Sequence, residues 1–139
     1  MRTTNLPTTE TTQPVVMVDD SYTDILLAQL CYEDACRENP FVSMSSGAQL
    51  LEYLDAVEAG TAVMPAIVLL DINMPAMNGF DVLEAVRRRE AFARVPPIVM
   101  FTHSDDPGDE RRAAELGAHG YRTKPFTVAE YVEFFETLN

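Results

Sequence analysis

Five short runs punctuate the chain, apolar throughout in the first, third and fourth, and each is followed by a stretch with helical periodicity. The runs are Val15-Val16-Met17-Val18, residues 41–44, Ala66-Ile67-Val68-Leu69-Leu70, residues 97–101 and residues 119–122. Runs this short, alternating with helical segments, are the pattern of strands buried on both faces of a parallel sheet. Five such units joined by right-handed crossovers fold as a doubly wound three-layer α/β sandwich. The first predicted helix covers 22–37, with Leu27, Cys31 and Ala35 on one face. The second covers 47–58, and the third begins after Asn78-Gly79 with Phe80, Leu83 and Val86 inward. The fourth has Asp106 as N-cap, Pro107 at its first position and acidic residues in its first turn, and stops at Gly117. The fifth covers 127–138, with Val128, Tyr131, Val132, Phe135 and Leu138 on its apolar stripe. Residues 15–139 thus make one domain. Residues 1–14 hold six threonines and two prolines, too few apolar side chains to offset ordering, and are expected to be a disordered leader.

Composition excludes several classes of function. A net charge of −12 over 139 residues leaves no basic surface for nonspecific binding to nucleic acid or anionic lipid. It suits a partner with a basic patch, and it serves solubility equally well. No apolar run nears the roughly 20 residues that cross a bilayer, and no signal-peptide core follows Arg2. Cys31 and Cys36 face different ways from one predicted helix. They are expected as free thiols, in the core or at its boundary, in a cytoplasmic protein.

Parallel strands in an open α/β sheet point their carboxyl ends at one edge, where ligands bind. Asp19-Asp20 follow the first strand, Asp71 follows the third, Thr102 ends the fourth and Lys124 lies two residues past the fifth. Each alone has an ordinary explanation: paired aspartates cap helices, and Asp or Thr commonly ends a strand. Together they converge on one pocket. Three crowded carboxylates repel and need a cation, and Mg²⁺ favours such oxygen ligands. Lys124, the only lysine in the chain, adds an ammonium beside Pro125-Phe126. These are the charged groups that moving a phosphoryl group requires. In the loop from Asp71 to Gly79, Pro75 gives stiffness and Asn78-Gly79 tolerates left-handed backbone angles, so it can hold a carboxylate and a carbonyl around a metal. Arg87-Arg88-Arg89 reads as a solvated helix face. His103 and His119 lack a third ligand at zinc-site spacing.

On these motifs the chain resembles the receiver domains of two-component response regulators, the CheY-like family, in its stand-alone single-domain form. The resemblance covers residues 15–138 and rests on Asp19-Asp20, the Asp71 loop with Met74-Pro75 and Asn78-Gly79, Thr102, Tyr121 and Lys124-Pro125-Phe126. It implies a flavodoxin-like fold with strand order 2-1-3-4-5, an order that belongs to the family and is not read from the spacing of the runs. It implies that Asp71 accepts a phosphoryl group from a histidine kinase or histidine phosphotransfer protein. Asp20, Asp71 and the backbone carbonyl of Asn73 would bind Mg²⁺, with Asp19 helping directly or through water. Lys124 would pair with the phosphoryl oxygens, and Thr102 would bond to one of them. Tyr121 would then turn inward, reshaping the face of helix four, strand five and helix five for a downstream protein target. The Lys124-Pro125 bond is expected cis, as in the family. The chain would be a signalling protein, not an enzyme on another substrate.

Two departures stand out: His103 where the family favours a small residue, and Asn78 where it more often has Asp. The long connection from strand two to strand three resembles receivers paired with phytochrome-type kinases. A haloacid-dehalogenase phosphatase would need its nucleophile on the first strand with a second Asp two residues on, where this chain has Asn73. A flavin site would need a first loop that cradles phosphate, which Asp19-Asp20 would repel. The remaining alternative is a phosphorylation-independent interaction module with a receiver fold.

Overall fold

The computed structural model describes residues 12–138. The elements are β1 (Val15–Val18), α1 (Tyr22–Asp34), β2 (Phe41–Met44), α2 (Gly47–Glu58), β3 (Ile67–Leu70), α3 (Gly79–Arg88), a 3₁₀ turn (Glu90–Phe92), β4 (Ile98–Thr102), α4 (Pro107–Glu115), β5 (Gly120–Thr123) and α5 (Val128–Glu136). The strands form one parallel sheet in the order β2-β1-β3-β4-β5. This is the flavodoxin-like doubly wound sandwich.

Alternation along the strands divides the core. Val16, Val18, Val68, Leu70, Ile98 and Met100 face one side, against Leu50 and Leu54 of α2 and Phe80, Leu83 and Val86 of α3. Val15, Met17, Ile67, Leu69 and Phe101 face the other, against Cys31 and Tyr32 of α1 and Tyr131, Phe134 and Phe135 of α5. Both faces of β1 and β3 are covered, which is why their sequences read as unbroken apolar runs. Truncating a fully buried member such as Leu69 to Ala would cost about 2–5 kcal/mol.

Four helices carry side-chain caps that match their starts: Ser21, Ser46, Asn78 and Thr127 each accept from the backbone N–H three residues on. Asp106 accepts from Gly108 ahead of Pro107, as the sequence predicts.

Several expectations are corrected. Helix α1 ends at Asp34 rather than 37, and its buried face is Ala28, Cys31 and Tyr32, while Leu27 is exposed. Apolar residues surround this helix, so spacing alone could not set its rotation. In α5 the inward stripe includes Phe134, and Val128 is exposed. Cys36 is exposed, with φ +56°, beyond the helix end. Arg87 is not a solvated side chain. It donates to the carbonyls of Gly117 (3.0 Å), Phe92 (3.1 Å) and Pro96 (3.0 Å), stitching α3 to the approaches of β4 and β5.

The Lys124-Pro125 bond is not cis, and the cis bond among the described residues is Val95-Pro96. The small free-energy gap between isomers of an X-Pro bond lets local context choose either. The proposed leader falls mostly on residues 1–11, outside the described residues. Its last members are tied down, since Gln13 and Pro14 accept hydrogen bonds from Asn39 and Ala66.

Candidate phosphoacceptor site

Strand register assembles the site. Val18 pairs with both Met44 and Leu70, and Leu70 pairs with Met100. Asp19 and Asp71 therefore leave adjacent strands at the same level, with Thr102 two residues past Met100 on the next. Backbone bonds from Asp19 to Met44 (3.0 Å), Asp71 to Val18 (3.0 Å) and Lys124 to Thr102 (2.7 Å) carry the sheet's hydrogen bonding right up to these residues.

The three carboxylates come together as the sequence implied. Oxygens of Asp19, Asp20 and Asp71 all lie within 4.8 Å of one another. A hard cation with ligands at about 2.1 Å spans about 4 Å between opposite oxygens, so small side-chain rotations would close the set around one. All-oxygen donors of this kind fit Mg²⁺ or Mn²⁺ and not zinc. Asp20 is exposed and faces solvent, whereas Asp19 is buried. Asp19 Oδ1 accepts from the Ser21 N–H at 2.9 Å, and Oδ2 accepts from Lys124. Each carboxylate oxygen keeps a second lone pair for a cation. Asn73 lies two residues beyond Asp71 and is exposed.

Asp71 is buried, and its Oδ1 accepts from the Ile72 N–H at 2.9 Å. Its Oδ2 stands 3.7 Å from the Lys124 ammonium. Burial pushes the Asp71 carboxyl up from the ordinary carboxylate range; Lys124 opposes this, and the Asp19 charge adds to it. The acceptor loop differs from expectation in its backbone. The positive φ falls at Ala76 (+65°), not at Asn78 or Gly79. Gly79 is required for close approach, because a Cβ there would run into the Asp71 and Ile72 backbone. Asn78 caps α3, forming a reciprocal box with Asp81 that secures the loop's far end.

Lys124 is almost fully buried. Its ammonium donates to Asp19 Oδ2 and, at 2.8 Å, to Asp24 Oδ2. Burial works against its charge, but the hydrogen bonds to Asp19 and Asp24 outweigh it and hold its pKa above the usual lysine value. Asp24 is a site residue that the sequence reading missed. It sits in the first turn of α1, where an acid looks like ordinary helix-terminus charge. His103 reaches the same Asp24 oxygen at 3.2 Å. Thr102 is fully buried, and its hydroxyl draws the Asp71 carboxyl down. Tyr121 is half-buried against the core, its hydroxyl donating to the Ser104 carbonyl at 2.8 Å. Among the described residues, no other cluster of three or more acidic, histidine or cysteine ligands is present. None of their helices is long and apolar enough to cross a membrane.

A three-layer sandwich with an acidic cluster, a buried lysine and a strand-end threonine at one sheet edge defines a receiver architecture. The chain belongs to the response regulator receiver domain family, which it matches over residues 15–136. It is 28% identical over 124 residues to the probable methanogenesis regulatory protein FilR2 of Methanothrix harundinacea (strain 6Ac), covering 89% of this chain and 79% of that one. Among solved structures it resembles the response regulator RPA3017 in red light signaling of R. palustris, with TM-score 0.81 and 28% identity over 91% and 90% of the two chains. It also resembles the bacteriophytochrome response regulator RtBRR, with TM-score 0.74 and 29% identity over 92% and 80%. Membership is consistent with two-component signalling.

Proposed function

We propose that this chain is a receiver-domain phosphoacceptor that takes a phosphoryl group on Asp71 from a phosphohistidine of a histidine kinase or phosphotransfer protein. The observation that carries this reading is the setting of Asp71: its buried carboxylate lies beside a buried ammonium, 3.7 Å from Oδ2, and gathers with two further carboxylates. In the transfer, an Asp71 oxygen forms a bond to phosphorus as the phosphorus–nitrogen bond breaks. The donor imidazole leaves with the electron pair. Mg²⁺ held by Asp19, Asp20, Asp71 and the Asn73 carbonyl would neutralise charge on the transferring oxygens. Lys124 and Thr102 orient those oxygens, so catalysis is mostly positioning, and the chain acts on itself and not on a separate substrate.

Thr102 drawn toward the phosphoryl group would open space for the Tyr121 ring, which is already half-buried and tied to Ser104. That change would reshape the surface of α4, β5 and α5, and a target preferring one form would shift the equilibrium by its differential affinity. On α1, Tyr22, Leu26 and Leu30 are exposed at four-residue spacing beside Asp20. An apolar stripe of this kind suits a donor protein's helix. The resemblance to a regulator in red light signaling and to a bacteriophytochrome response regulator favours a light-sensing kinase as donor. The setting consistent with these partners is the cytoplasm.

Acetyl phosphate with Mg²⁺ should label the protein at one site, and neither Asp71→Asn nor EDTA-treated protein should label. A phosphotransfer profile against kinases of the same cell then identifies the donor. Label persisting in Asp71→Asn would remove the proposed acceptor. No label on the unsubstituted chain from any donor would favour the phosphorylation-independent module.

A further inference from the structure

Lys124 does not hydrogen-bond the residue it is expected to serve. An ammonium has three donors, and two are spent on Asp19 and Asp24, while Asp71 Oδ2 lies at 3.7 Å, beyond hydrogen-bond range. Asp24 is well placed to hold it there. Its backbone N–H donates to the Ser21 cap at 3.2 Å, so it sits in the first turn of α1, where the helix dipole favours a carboxylate. His103, from the end of β4, braces the same oxygen that accepts from Lys124. Asp24 Oδ2 thus joins three elements of the site: α1, β4 and the segment after β5. The Asp24 side chain is 25% exposed and that of Lys124 only 2%, so the contact lies at the rim of an otherwise closed pocket.

We propose that Asp24 is a positioning residue for Lys124, holding the ammonium on the Asp19 side of the pocket until an anion bound to Asp71 draws it away. The proposal rests on the phosphoacceptor reading only for its last step; where Lys124 rests before any phosphoryl group arrives is independent of it. No hydrogen bond or ion pair joins Asp24 to Asp71, and Asp24 acts through Lys124. Its carboxylate competes with a phosphoryl group for the one ammonium. Removing Asp24 would release Lys124 toward Asp71 and take a negative charge from the path of an anionic donor.

The chain's single lysine makes this measurable. Protein labelled with ¹³C and ¹⁵N on lysine gives one ε-methylene signal, that of Lys124. In the anion-free protein, Asp24→Ala should move this signal away from its wild-type position, and Asp24→Glu should restore it. Beryllofluoride with Mg²⁺ should displace the signal in wild type and displace it less in Asp24→Ala. Labelling of Asp24→Ala by acetyl phosphate should be about fivefold faster, the effect of lowering a barrier by one modest charge interaction. An amide spectrum otherwise like wild type checks the fold. An unmoved lysine signal in Asp24→Ala, or slower labelling than wild type, overturns the proposal. If the wild-type chain takes no label at all, the phosphoacceptor reading fails, and the anion-free lysine signal still decides where Asp24 holds Lys124.

Discussion

Lys124 Nζ stands 3.7 Å from Asp71 Oδ2, close enough to attract the carboxylate and too far to hydrogen-bond it. Asp71 is therefore incompletely compensated: burial and the neighbouring Asp19 charge raise its pKa against the pull of Lys124. A carboxyl with a folded-state pKa above its unfolded value makes the ionised folded state less stable. That cost is absent where both states are protonated, and it grows as pH rises from the unfolded value through the folded one. Asp71→Asn should therefore raise stability in EDTA at pH 7, by about 1 kcal/mol or a few degrees in Tm. The gain should shrink as pH falls toward the ordinary carboxylate range. Thermal melts at two pH values check both signs, and a gain that is larger in acid would contradict the argument.

Mg²⁺ should narrow that difference. A cation that binds the folded state alone stabilises it by mass action, and Asp71→Asn removes one of its carboxylates. Wild-type Tm should rise with added Mg²⁺ more than that of the variant. Equal rises would place the ion elsewhere.

Arg87→Ala is expected to be among the more damaging surface-helix substitutions. Three backbone carbonyls, of Gly117, Phe92 and Pro96, lose a charged donor at once. The expected cost is about 2–3 kcal/mol by urea unfolding. Arg87→Lys should rescue little of it, because one ammonium cannot reproduce the planar fork. A loss under about half a kcal/mol for Arg87→Ala would return this residue to the solvated reading.

Tyr131 carries a buried hydroxyl with no hydrogen-bond partner among the described residues. Burial, reinforced by the Asp24 and Asp19 charges, pushes its ionisation far above the usual range. Replacing it by Phe keeps the ring contacts with Phe101 and Phe135 and removes the unsatisfied group. Tyr131→Phe should leave stability unchanged or raise it by about 1 kcal/mol. A clear loss of stability would mean that the hydroxyl has a partner in solution.

His103→Ala should speed labelling by small phosphoryl donors, because His103 braces Asp24 at the rim and adds bulk beside Thr102. Lys124→Ala should label more slowly than wild type, and the phosphorylated variant should lose most of its binding to a downstream target. Unchanged labelling for the first, or full target binding for the second, would refute the respective expectation.

Much of this protein was legible in its residues one segment at a time. Buried parallel strands announce themselves as apolar runs because both faces are covered. The chemistry at their carboxyl ends then reads as one pocket, since parallel strands share a polarity. Asp19, Asp20, Asp71, Thr102 and Lys124 were found this way. Helix rotation was not legible where apolar residues surround the axis, as at Leu27 in α1, because only packing selects the inward face. Arg87 looked like its neighbours Arg88 and Arg89 because sequence does not reveal which guanidinium will meet three free carbonyls from later segments. Asp24 was hidden for the same reason: its partner Lys124 lies 100 positions away, and local pattern carries no information about such pairs. Sequence determined the layers, the sheet edge and the charges gathered there. Tertiary structure alone decided which carboxylate holds the lysine, because that choice depends on distances set by the packing of α1 against the sheet.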